Sequence, residues 1–168
     1  MGMKQSILRI AGILDELSVY FWQKECNFLN LSVTQWRQEV EQFEPNLLFI
    51  ESAWKGRDGG WYQKVARPST ELEELLEWCK EHKIITVFWN KEDPIHFSTF
   101  LRTAFLFDWV FTTDLDCIPL YQRLLKHQRV GLMLFSASTQ LFHPIENKKR
   151  KEAICFAADC RQNGSRIE

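Results

Sequence analysis

Residues 84–97 read IITVFWNKEDPIHF. Apart from Thr86 the first six are apolar, and the run does not alternate between apolar and polar. A strand buried on both faces reads this way, and such strands belong to the middle of a parallel sheet. The run then stops abruptly in Asn90, Lys91, Glu92 and Asp93, followed by Pro94 and His96. The fold class and the candidate site both turn on how that junction is read.

The same pattern recurs on either side. Residues 7–14 (ILRIAGIL), 47–50 (LLFI), 109–112 (WVFT) and 130–135 (VGLMLF) read as further strands, and residues 153–157 (AICFA) as the start of a sixth. Between them lie segments of helical spacing. Trp36, Val40 and Phe43 form one stripe in residues 34–43, with Thr34 placed as a cap. Leu72, Leu75, Leu76 and Cys79 form another in residues 71–82, opened by Ser69 or Thr70. Its acidic first turn and its Lys and His in the last turn suit the helix dipole. Residues 96–107 and 117–127 complete the series. Residues 15–33 break the rhythm, and their aromatic-rich sequence fits a short helix or a flap over the edge. Strand and helix otherwise alternate, which predicts an α/β fold: an open, parallel, Rossmann-like sheet with helices on both faces. One domain is expected over residues 1–157, with an irregular tail at 158–168.

Composition narrows the function classes. With 168 residues and 45% apolar side chains, the chain is long enough for one substantial core. A net charge of -1 gives no global attraction to nucleic acid or to an acidic membrane. The basic cluster Lys148, Lys149, Arg150 and Lys151 reads as a solvated linker. Five cysteines without a Cys-x-x-Cys pair predict neither a disulfide framework nor zinc, so reduced thiols and a cytoplasmic location are expected. No apolar run approaches the roughly 20 residues of a membrane span, and no signal-peptide layout opens the chain.

Ligands of open parallel sheets bind beyond the carboxyl ends of the strands, where loops splay and helix N-termini point inward. Each expected strand runs there into polar residues: Asp15 and Glu16, Glu51 and Ser52, residues 90–93, Thr112 to Asp114, and Ser136. The loop 51–61 (ESAWKGRDGGW) adds Trp54 and Trp61 to three glycines, and aromatic faces beside carboxylates suit stacking on a sugar or base. It lacks both glycine-rich phosphate-binding signatures. Pro94 makes Asp93 a candidate N-cap for the helix carrying His96. Glu92, Asp93 and His96 are metal-ligand types, but no further partner is evident and no metal is expected. A receiver-like phosphoacceptor domain fails on its own residues, since Asn90 and Ser136 stand where Asp and Lys would be required.

Four segments in order, FIESAWKGRDGGW, TVFWNKEDPIHF, FDWVFTTDLDCIPLY and ICFA, resemble the CgeB-like glycosyltransferases. These are bacterial proteins linked to spore maturation, with relatives in teichoic acid biosynthesis. The resemblance covers most of residues 12–157. It implies the N-terminal half of a GT-B architecture, in which two Rossmann-like domains face each other across a cleft. That half handles the acceptor, and the C-terminal half most of the nucleotide-sugar donor. Such relatives continue beyond the point where this chain ends, so a half-enzyme with little activity alone is expected. A sugar or polyol-phosphate acceptor is the implied ligand. A C-terminal GT-B half or self-association is the implied partner, and no cofactor is held tightly. The rim carboxylates Asp93, Glu51 and Asp15 are the candidates for a base on the acceptor hydroxyl. Trp54 and Trp61 would stack, while Asn90, Lys91, Glu92, His96 and Asp114 would hydrogen-bond hydroxyls or orient the loop. The alternative is a non-catalytic α/β domain that binds a partner or itself.

Overall fold

Parallel neighbours need a crossover of a dozen or more residues, and the helical segments supply it. The computed structural model describes residues 8–139 and 141–142. Its strands are β1 (Arg9–Ile13), β2 (Asn27–Asn30), β3 (Leu47–Glu51), β4 (Ile85–Asn90), β5 (Trp109–Thr112) and β6 (Val130–Leu132). They form one open sheet in the order β2-β1-β3-β4-β5-β6, and every adjacent pair is parallel. The helices are α1 (Glu16–Glu25), α2 (Trp36–Phe43), α3 (Thr70–Glu81), α4 (Phe97–Ala104) and α5 (Cys117–Leu125). The fold is a Rossmann-like α/β domain, as expected.

The chain steps outward from β1 to β2, returns across β1 to β3, and then runs one way to β6. Right-handed crossovers consequently put α1 on one face and the other four helices on the opposite face. The packing agrees. Ala11, Ile13, Leu48, Ile50, Phe88 and Val110 meet buried residues of α2 to α5 in the larger core. Ile10, Leu14, Phe28, Phe49, Val87 and Trp89 point the other way, against Val19 and Trp22 of α1. With one helix on that face, Ile85 and Trp109 stay 52% and 40% exposed.

The segment 15–33 resolves into α1 and the edge strand β2. No residue of α1 is fully buried, so it carries no strong apolar stripe, and only Phe28 of β2 is buried. β6 is shorter than expected, and Leu134 and Phe135 are exposed as the chain leaves the sheet. Ser69 caps α3, its hydroxyl accepting the Leu72 N–H at 3.4 Å. Thr34 does not cap α2: the helix begins at Trp36, and the Thr34 hydroxyl pairs with that of Ser32 at 3.2 Å. Cys26, Cys79 and Cys117 are free thiols. The strand expected at 153–157, the tail at 158–168, His143, Cys155, Cys160 and the basic cluster at 148–151 lie outside the described residues.

The glycine-rich loop after β3 corrects one expectation. Trp61 is fully buried in the larger core, where its indole N–H donates to the Leu31 carbonyl at 2.8 Å. It therefore has no face for a ligand. Gly56 makes this wrap feasible: its φ is +62°, and a Cβ there would lie 2.7 Å from the Cβ of Trp61. Trp61→Ala is expected to cost ~3–5 kcal/mol, from the cavity and the orphaned Leu31 carbonyl. Urea unfolding should show this, whereas Tyr62→Ala at the exposed neighbour should shift stability by under about 0.5 kcal/mol.

Candidate functional site at the carboxyl edge of the sheet

The winding reverses between β1 and β3, and the loops leaving these two strands diverge there. Asp15 follows β1 and bridges the gap. Its carboxylate accepts the backbone N–H groups of Trp54 (3.1 Å), Lys55 (2.9 Å) and Gly56 (2.8 Å). Such a cluster of amides would bind a phosphate, and here the protein's own carboxylate fills it. Burial opposes the charge on Asp15, but these three donors and the nearby Lys91 outweigh it and hold its pKa below the usual value.

Glu51 ends β3 and is fully buried. Its Oε1 accepts the Asp15 N–H and the Lys91 ammonium, each at 2.8 Å. Its Oε2 is buried and takes no hydrogen bond from the described residues. Burial pushes the Glu51 pKa up, and the Lys91 ammonium, the nearby Ser18 hydroxyl and the Asp15 amide offset only part of that. Lys91 also lies 3.6 Å from the Asp15 carboxylate, so one ammonium is shared between two carboxylates. Asp15 and Glu51 are thus committed to holding the edge together, and Glu51 is not presented to solvent as a base would be.

Asp93 has a different environment, on the face carrying α4 and α5. The Asp93–Pro94 peptide is cis. The Asp93 carboxylate accepts the Asn90 amide at 2.6 Å, the Thr112 hydroxyl at 2.6 Å and the Tyr121 hydroxyl at 3.4 Å. It does not cap a helix: α4 starts at Phe97 with His96 at the N-cap position and no side-chain cap. Partners across the sheet, from β4, β5 and α5, take up the carboxylate in place of helix amides. Burial raises the Asp93 pKa; the Thr112 and Tyr121 hydroxyls lower it in part, and the neighbouring Asp114 raises it further. Asn90 and Tyr121 are fully buried, whereas Asp93 is half-buried. It is the candidate base that remains both fixed and reachable.

The other expected residues lie along the same edge. The Glu92 N–H donates to the Asn90 side chain at 3.2 Å. The Asp114 carboxylate accepts the Asp116 N–H at 2.8 Å, closing a turn ahead of α5. Trp54 is half-buried, edge-on to His96 at 5.0 Å and to Phe100 at 5.2 Å. The edge therefore gathers every expected residue except Trp61, but divides them between the two faces. Thr112 and Tyr121 as partners of Asp93 are the residues that sequence reasoning missed. A hydroxyl ending one strand beside a carboxylate ending its neighbour was the available signal for Thr112; Tyr121 reads only as a helix-face aromatic.

No family model, curated protein or solved structure matches this chain. Among the described residues no group of three or more His, Cys, Asp or Glu could hold a metal ion. No helix among them is long and apolar enough to cross a membrane.

Asp15→Asn tests the bridge between the loops. The folded pKa of Asp15 lies below its unfolded value, so its stabilisation is present above the ordinary aspartate range and vanishes as pH falls through the folded pKa. The variant is expected to lose about 1–3 kcal/mol near neutral pH. In urea unfolding the gap to wild type should narrow below about pH 4.

Proposed function

We propose that this domain is the acceptor-side unit of a CgeB-like, GT-B glycosyltransferase. It would hold a sugar or polyol-phosphate acceptor against Asp93, while a second Rossmann-like unit carries the nucleotide-sugar. The observation behind this reading is the Asp93 carboxylate, half-buried at the carboxyl edge and fixed by Asn90, Thr112 and Tyr121. A base works best when its pKa approaches the working pH, and burial moves Asp93 in that direction. In an inverting transfer Asp93 would take the proton of the acceptor hydroxyl as its oxygen attacks the anomeric carbon. The new C–O bond forms as the bond to the nucleoside diphosphate breaks, and the diphosphate leaves with the electron pair. Donor and acceptor must be held together for this, so the acceptor-side unit alone would turn over little.

A non-catalytic reading draws support from the sheet face over β4 and β5, where Ile85 and Trp109 are exposed. Exposed apolar faces favour association with a partner or a second copy. The two readings separate by experiment. Calorimetry with ribitol 5-phosphate or glycerol 3-phosphate should show binding that Asp93→Asn weakens at least about tenfold, with little heat from UDP-sugars. No heat from any acceptor, together with a concentration-dependent dimer in sedimentation, would sink the enzymatic reading. Carbon NMR of the Asp93 carboxyl should give a titration midpoint above the ordinary value of about 3.9.

A further inference from the structure

A cavity opens at the same edge, on the α1 face, and the Asp93 cluster takes no part in it. Its volume is about 480 Å³, within the range of small-molecule sites. Residues 133–139 form one wall, and they are fastened in place. The Trp89 indole N–H donates to the Met133 carbonyl at 2.8 Å, and Phe135 stands edge-on to Trp89 at 5.2 Å. Farther along, the Ser138 hydroxyl donates to Glu25 of α1 at 2.6 Å. The enclosure is therefore built by directed contacts between α1, β4 and the chain after β6.

Its chemistry is specific. Phe21, Trp22, Trp89 and Phe135 line it, so aromatic faces and edges meet an occupant from several directions. Its polar lining includes Ser18, Lys91 and Glu25. Lys91 already faces two carboxylates, Glu51 at 2.8 Å and Asp15 at 3.6 Å, so that group as a whole has no positive charge to offer an anion. An ammonium has three N–H donors, however, and Glu51 takes one at hydrogen-bonding distance. A neutral oxygen can accept from the remainder, and a hydroxyl on it can donate to the Ser18 oxygen beside it.

We infer that this cavity binds an uncharged ring compound with a hydroxyl group, its ring among Trp22, Trp89 and Phe135 and its oxygen at Lys91 and Ser18. The inference does not depend on the sugar-transfer reading. Two probes that share a ring but differ in charge test it near pH 7: neutral 2-naphthol and anionic 2-naphthoate, titrated calorimetrically into the full chain. The naphthol should bind one to one, and the naphthoate at least about tenfold more weakly. Phe135→Ala, a change at an exposed side chain, should weaken naphthol binding by about tenfold and lower the unfolding midpoint only slightly. Equal or tighter binding of the naphthoate overturns the inference. So does the absence of heat from both probes, or naphthol binding that Phe135→Ala leaves untouched.

Discussion

Lys91 shared between Glu51 and Asp15 is the contact on which the carboxyl edge depends. The three residues stand at the carboxyl ends of three different strands, and they meet where the winding of the sheet reverses. Asp15 passes the constraint on to the loop after β3 through three backbone amides. Removing one member of a buried ion pair leaves its partner uncompensated, typically at about 3–5 kcal/mol. Lys91 is thus less a ligand-binding cation than the counter-charge that lets two carboxylates coexist in a nearly dry place. The same network explains why this reversal point is no phosphate cradle, since an internal carboxylate occupies the amides a phosphate would need.

Strand geometry divides the polar run 90–93 between two chemistries. Successive residues at a strand end point to opposite faces. Asn90 joins Tyr121 and Asp93 on the side of α4 and α5, and Lys91 joins Glu51 on the side of α1. A cluster that is continuous in sequence becomes two adjacent sites. One presents a fixed carboxylate of raised pKa; the other borders an aromatic cavity whose ammonium already faces two carboxylates.

Much of the scaffold was legible because its signals are local. Buried strands such as β3 and β4 appear as largely apolar runs that do not alternate, and α3 announces itself through its stripe and its Ser69 cap. α1 and β2 were hidden for the opposite reason. A helix lying alone on a half-covered face buries no residue fully, and an edge strand with the sequence NFLN needs little apolar character. Trp61 misled because glycine-rich loops ordinarily stay at the surface. Here the loop folds inward, and the indole finds an acceptor at Leu31, thirty residues earlier.

Sequence alone established a parallel α/β sheet with acidic and aromatic residues at its strand ends, since periodicity and strand termini are properties of neighbours along the chain. The tertiary structure decided what each polar residue does there. Asp15 reaches Gly56 across 41 positions, Glu51 reaches Lys91 across 40, and Thr112 reaches Asp93 across 19. Hydrogen bonds and ion pairs demand placement to a few tenths of an ångström. Only strand order and register set that placement, so one aspartate became a brace and another an accessible carboxylate.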